Sequence, residues 1–275
     1  MNILEFVKTV LAEDVGRGDL FSKVESPKKS VKGKLVAKSN GVLAGIKYVS
    51  SLTEIENFQI DWQKKDGEKF KSGEILAFLT GDSHTILKVE RSFLNIVLHA
   101  SSIATLTSKY VEKLEKFPKV TLLDTRKTRP LLREFEKYAT RIGGATNHRM
   151  GLDDCLMLKD THLQTISDLN EFLKEAKKSI PITSKIEVEC ETVEFAKEML
   201  LNENVDIIMC DNMTISMMTD VVNFRNLEAK SKYLEASGNI NLNNISDYAS
   251  TGIDAISSGS IIHQANWIDL SLKIE

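Results

Sequence analysis

The sequence predicts an α/β protein in two parts: a small antiparallel sheet near the start, then an incomplete, open α/β barrel of parallel strands. Three observations lead there. Short strand-like runs broken by turn residues fill roughly the first hundred residues. Six apolar runs of strand length then alternate with helical patterns, as parallel strands with helical crossovers require. Those runs end in charged, polar or glycine residues, at the strand ends where α/β folds gather their ligands.

The elements follow in order. An amphipathic start, Ile3 to Leu11, leads into the polar loop Gly16-Arg17-Gly18-Asp19. Strand-like segments come at 31–38, 41–44, 58–62 and 75–80, separated by Asn40-Gly41, Asp66-Gly67, Ser72-Gly73 and Gly81-Asp82. A long helix is expected from Ser83 to about Phe117, with its apolar stripe through Phe93, Val97, Ala100 and Ala104. The six later runs are 120–123, 155–158, 186–188, 205–209, 233–236 and 253–256. Helical stretches at 166–178, 192–201, 215–225 and 243–251 lie between them. A seventh strand is available if Ala139 to Ile142 is counted, which still falls short of a closed eight-stranded barrel.

Composition narrows the function. Across 275 residues, 42% are hydrophobic and 27% charged, which suits a globular chain with a sizeable core. A formal net charge of -3 leaves no basic excess to follow a nucleic-acid backbone. No apolar run reaches the ~20 residues of a membrane span, and no signal peptide is read at the N-terminus. Cys155, Cys190 and Cys210 stand singly in apolar runs and read as buried, reduced residues rather than zinc ligands. No nucleotide-binding GxxxxGK[ST] motif occurs.

The strand ends carry the chemistry. Asp124-Thr125-Arg126-Lys127 follows the first barrel run, and His148, Arg149 and Lys159 fall near the next. Singly, each would pass for a solvated surface charge. Together they set several cations at one mouth, fit for carboxylates or phosphates. Glu189 and Asp211 end later runs, and could pair with those lysines, hold a divalent cation, bind sugar hydroxyls or stabilise developing positive charge. Ser237-Gly238-Asn239 and Ser257-Ser258-Gly259 end the last two runs, where barrels often bind phosphate through backbone N–H groups. His84, His99, His263 and the Met-rich stretch from Met209 to Met218 read as packing or surface.

In order and spacing, these residues resemble one family. Asp124-Thr125-Arg126-Lys127-Thr128, Gly143-Gly144-Ala145-Thr146-Asn147-His148-Arg149, Leu158-Lys159-Asp160, Glu187-Val188-Glu189, Asp211-Asn212-Met213 and Glu235-Ala236-Ser237-Gly238 are similar to the motifs of quinolinate phosphoribosyltransferases. The likeness extends to Leu11-Ala12-Glu13-Asp14, Gly41-Val42-Leu43-Ala44-Gly45, Glu90-Arg91 and Ile103-Ala104-Thr105.

The resemblance implies a small N-terminal α/β sandwich at 1–104 and a barrel at 105–264, with the tail 265–275 packing on the first. It implies transfer of phosphoribosyl from phosphoribosyl pyrophosphate to quinolinate with loss of CO2, a step of NAD biosynthesis, using Mg2+. Arg91, Thr125, Arg126, Lys127, His148, Arg149 and Lys159 would then hold quinolinate. Glu189, Asp211, Ser237, Gly238, Asn239, Ser257, Ser258 and Gly259 would hold phosphoribosyl pyrophosphate. Lys127, Lys159, Glu189 and Asp211 would serve catalysis, the two acids also carrying the metal directly or through water. Arg91 resembles an arginine supplied by a neighbouring subunit, which implies a homodimer, or a hexamer built from such dimers, in the cytoplasm. Ala145, Thr161, Ser102 and Phe21 depart from the family's usual Gly, Asn, Gly and Thr, which touches loop shape and removes no charged group. The alternatives are a ModD-like paralogue with another substrate, a sensor of quinolinate, and a lyase with Lys159 as its Schiff-base residue.

Overall fold

The computed structural model describes residues 2–24 and 27–275. The chain divides into two units, Met1–Ser108 with Arg141–Gly143 and Ala265–Glu275, and Lys109–Thr140 with Gly144–Gln264.

The first unit opens on α1 (Ile3–Val15), started by a capping box. The Asn2 side chain accepts the Glu5 N–H at 2.9 Å, and the Glu5 carboxylate accepts the Asn2 N–H at 3.0 Å. Strand β1 (Ser30–Ala37) buries Gly33, Leu35 and Ala37, every second residue, as a sheet with one covered face demands. Then come β2 (Gly41–Val42), α2 (Ile46–Val49), β3 (Phe58–Trp62), β4 (Lys69–Phe70), β5 (Ile75–Asp82) and the long α3 (Ser83–Leu114), which begins in this unit. The last strand of the chain, β12 (Leu270–Ile274), pairs with β1, and the antiparallel sheet runs β12-β1-β5-β3. A second antiparallel pair joins β2 to β4. Two strands escaped the sequence reading. One spans only Lys69–Phe70, and the other, Leu270–Ile274, is a single alternating run far from its partner. Along α3, Phe93, Val97, Ala100, Ile103 and Ala104 are fully buried, at the spacing of one helical face.

The second unit alternates strand and helix. Its elements are β6 (Thr121–Leu123), α4 (Arg133–Ile142), β7 (Cys155–Leu158), α5 (Asp160–Leu163), α6 (Leu169–Ser179), β8 (Lys185–Cys190), α7 (Val193–Leu201), β9 (Ile207–Asp211), α8 (Ile215–Glu228), β10 (Tyr233–Ser237), α9 (Ile245–Ser250), β11 (Ala255–Ser257) and α10 (Ser260–His263). Asp168, Thr192 and Thr214 start α6, α7 and α8 by accepting backbone N–H groups of Glu171, Phe195 and Met217. The six strands are parallel, in the order β6-β11-β10-β9-β8-β7. Thr146 adds one parallel bridge to Leu123 beyond β6. Among the described residues no pairing returns β7 to that edge, so the barrel is open, as expected.

One expectation fails: Ala139 to Ile142 is not a strand but the end of α4. The helical face of α4 was hard to see because much of what it buries is polar, with Glu136, Lys137 and Thr140 all at 0% exposure. Elsewhere no helix among the described residues is long and apolar enough to cross a membrane.

Candidate active site

The period-two alternation of the strands decides which side chains point into the barrel. On β8 that face carries Glu187 and Glu189, while Val188 and Cys190 pack behind it. Register then sets Glu189 beside Met209, Asp211 beside Ser237, and Met209 beside Glu235. The result is a cavity of about 440 Å3 at the strand ends, within the ~300–1,000 Å3 range of small-molecule sites. Arg126, Lys127, His148, Arg149 and Lys159 line it together with Glu189, Asp211, Ser237, Gly238, Asn239 and Ser257.

A buried carboxylate ties the cationic segments together. Asp124, just past β6, is fully buried and ion-paired to Lys137 of α4, itself at 0% exposure. It also accepts from Thr140 Oγ1 at 2.9 Å, Asn147 Nδ2 at 2.5 Å and the His148 backbone N–H at 2.9 Å. Burial pushes the Lys137 ammonium down while Asp124 holds it up. A buried pair is tolerable only when its remaining hydrogen-bonding groups are satisfied, and here four donors surround one carboxylate. Two loops distant in sequence, 124–127 and 147–149, are thereby fixed to one helix.

Arg126 itself is not used up by the protein. Among the described residues no carboxylate or carbonyl accepts a hydrogen bond from its guanidinium. Desolvation lowers its pKa first, and the nearby cations Arg149 and Arg133 lower it further. A guanidinium stays charged under such pressure, so the site holds positive charge that an incoming anion would relieve. Arg149 is half-engaged, donating to the Cys155 carbonyl at 3.2 Å. Lys159 is ion-paired with Glu189, joining the cationic side of the cavity to the acidic side.

His148 is held at both ring nitrogens. Its Nε2 lies 3.0 Å from Glu235 Oε2 and 3.4 Å from Glu187 Oε2. Its Nδ1 accepts the Arg149 backbone N–H at 2.7 Å. Burial opposes protonation of the ring, but the hydrogen bonds and charges of Glu187 and Glu235 outweigh it and raise the pKa to about 10. The Nδ1 contact uses the lone pair there, which corresponds to the tautomer with Nε2–H toward the glutamates.

The acidic side offers oxygen ligands. Carboxylate oxygens of Glu189, Glu191 and Asp211 lie within 4.8 Å of one another, a set suited to a hard divalent cation. Two turns of small residues complete the mouth. Gly238, at φ 89°, sits so close to Asn212 that a Cβ would meet its Oδ1 at 2.3 Å. Asn239 and Asn212 also adopt positive φ, and Asn239 Nδ2 donates to Asn212 Oδ1 at 2.9 Å. Gly259 packs against the Thr125 and Lys127 side chains, at 3.2 and 3.0 Å from a would-be Cβ, so a larger residue there would have to displace them slightly. The Ser257 hydroxyl is buried and finds no hydrogen-bond partner among the described residues.

Most residues singled out in the sequence therefore meet in one cavity. Ser258 and Gly259 do not line it. The Ser258 hydroxyl is already bonded to the Ile240 carbonyl at 2.9 Å, so these two shape the turn. Arg91 is exposed on α3, in the first unit. The sequence reading overlooked Asp124, Glu235, Met157, Met209 and Asn212 as lining residues. A readable sign existed for Glu235, a charge inside an apolar strand at even spacing from Ser237.

Two family models cover the chain: the N-terminal domain of quinolinate phosphoribosyltransferase matches residues 19–101, and its C-terminal domain matches residues 103–273. A Bacillus subtilis protein named probable nicotinate-nucleotide pyrophosphorylase (carboxylating) is 38% identical, over 100% of this chain and 95% of the relative. A Mycobacterium leprae protein named nicotinate-nucleotide pyrophosphorylase (carboxylating) is 31% identical, over 98% of this chain and 95% of its own. The crystal structure of NadC from Streptococcus pyogenes superposes with a TM-score of 0.91 at 35% identity, covering 99% of this chain and 97% of that one. With both domains matched and full-length relatives above 30% identity, the chain belongs to the quinolinate phosphoribosyltransferase family.

Proposed function

We propose that the protein transfers the phosphoribosyl group of phosphoribosyl pyrophosphate to quinolinate and removes CO2, giving nicotinate mononucleotide and pyrophosphate for NAD biosynthesis. One observation carries this reading. Arg126, whose guanidinium has no hydrogen-bond partner among the described residues, stands with Arg149 and Lys159 on one side of a cavity whose other side presents Glu189 and Asp211. A dicarboxylate and a ribose approached by a nucleophile need those two walls.

In this reading Arg126, Arg149 and Lys159, with Thr125 and Lys127 beside them, hold the two carboxylates of quinolinate, and His148 stands in the same wall. They aim its ring nitrogen at C1 of the ribose, where proximity supplies much of the rate. As the bond from C1 to pyrophosphate breaks, positive charge grows on the ribose, which the carboxylates of Glu189 and Asp211 would stabilise. The bond from the ring nitrogen to C1 then leaves a cationic pyridinium. That ring accepts the electron pair of the breaking bond to the 2-carboxylate, CO2 leaves, and C2 takes a proton from water. No covalent nucleophile is needed. Lys159 is engaged by the Glu189 carboxylate.

Ser237, Gly238, Asn239 and the Ser257 hydroxyl would take the 5′-phosphate, with Ser258 and Gly259 shaping their turn. The oxygens of Glu189 and Asp211, with exposed Glu191 beside them, fit Mg2+. When bound, Mg2+ supplies charge neutralisation on the departing pyrophosphate. Arg91 would come from a second copy, making the homodimer the working unit, with a hexamer of such dimers as the larger form. The three free thiols suit a reducing, cytoplasmic setting.

The test follows pyrophosphate release. With phosphoribosyl pyrophosphate and Mg2+, release should depend on added quinolinate and stop when the metal is chelated. Release at the same rate without quinolinate would contradict the reading.

A further inference from the structure

Barrel interiors beneath the ligand layer are ordinarily filled by branched apolar side chains. Here that layer holds two glutamates. Glu187 of β8 is at 0% exposure and Glu235 of β10 at 1%. Each lies two residues below a group of the ligand layer, Glu189 and Ser237, on the same face of its strand. Burying a carboxylate costs several kcal/mol unless a partner offsets it. The partner they share is the His148 ring, and each still leaves one buried oxygen, Oε1, without a hydrogen bond. A layer so costly to build calls for a use, and the chain of contacts shows one. The ring, clamped at Nε2 from below, accepts at Nδ1 the backbone N–H of Arg149. Neither nitrogen is left to donate to a ligand.

We propose that Glu187 and Glu235 are positioning residues: they hold the His148 ring, and through it the Arg149 backbone, in the wall that receives the substrate carboxylates. His148 is then a strut for Arg149 rather than a donor to the substrate. The claim rests on the quinolinate reading and adds to it two groups that touch neither substrate.

The test uses Glu187→Gln, Glu235→Gln and the double variant, which keep volume and shape. The KM for quinolinate should rise about tenfold or more in each, since small misplacements of binding groups are felt strongly. The KM for phosphoribosyl pyrophosphate should stay within about twofold, because the ribose-side groups are untouched. A merely structural role would move both together. Equal rises, or none, while the wild type still turns over quinolinate, overturn the positioning role and leave the reaction standing. Absence of wild-type turnover overturns both. A second measurement does not depend on the variants folding: the crystal structure of the wild type with quinolinate. His148 Nε2 should remain on the glutamates and Nδ1 on the Arg149 N–H. A ring turned to donate to the ligand overturns the proposal.

Discussion

Arg126→Ala should raise the KM for quinolinate by about a hundredfold or more, with the KM for phosphoribosyl pyrophosphate nearly unchanged. The expected size follows from losing a charge-assisted, bidentate partner for a carboxylate in a partly desolvated site, about 2–5 kcal/mol. Arg126 is the cation for which this prediction is cleanest. Lys159 is paired with Glu189, and Arg149 already donates to Cys155, so replacing either disturbs the protein as well as the ligand. Removing Arg126 breaks no internal hydrogen bond of its guanidinium and relieves its repulsion with Arg149 and Arg133, so the fold should be unharmed. Steady-state kinetics with each substrate varied in turn, alongside a thermal melt, checks this. An equal loss for both substrates would remove Arg126 from the quinolinate wall.

The second large effect is on the chemical step. Glu189→Gln and Asp211→Asn should each lower kcat by about 10²–10³-fold, the scale on which a single preorganised electrostatic group acts. The KM for quinolinate should move little, because neither carboxylate faces its negative groups favourably. The two variants differ in one respect. Glu189→Gln also releases Lys159, whose ammonium becomes available to substrate, so quinolinate binding there should be unchanged or tighter. Asp211 has no such cation; it accepts from Asn212 Nδ2 at 2.6 Å. Because both acids act on the same developing charge, the double variant should lose less than the product of the single losses. Single-turnover rates check the point. Unaltered kcat in either variant would exclude that carboxylate from stabilising the ribose.

The fold was legible where periodicity is clean. The parallel strands surfaced as apolar runs, and helices α6 to α8 followed from their periodic spacing, while their caps Asp168, Thr192 and Thr214 emerged only in the structure. Helix α4 was obscured because Lys137 and Glu136 are buried by ion pairing rather than by apolar packing, which no hydrophobic pattern records. The site was legible as a set of strand-end residues. What stayed hidden was their mutual support. Asp124 holds Lys137 thirteen residues on, and His148 meets Glu235 across 87 positions of sequence. Those contacts exist only once the barrel brings β6, β8 and β10 around one cavity. Likewise, the small residues at 237–239 suggested a tight turn. That Gly238 must approach Asn212 too closely for any Cβ is a fact of packing alone.

In the proposed reaction one cavity binds a dicarboxylate on its cationic wall and an activated ribose on its acidic wall, and joins them with loss of one carboxyl group. Product analysis after incubation with quinolinate, phosphoribosyl pyrophosphate and Mg2+ tests it most directly. Nicotinate mononucleotide and CO2 should appear in equal amounts, and nicotinate offered in place of quinolinate should give little product. A mononucleotide formed from nicotinate, with neither product nor CO2 from quinolinate, would rule out decarboxylating transfer to quinolinate.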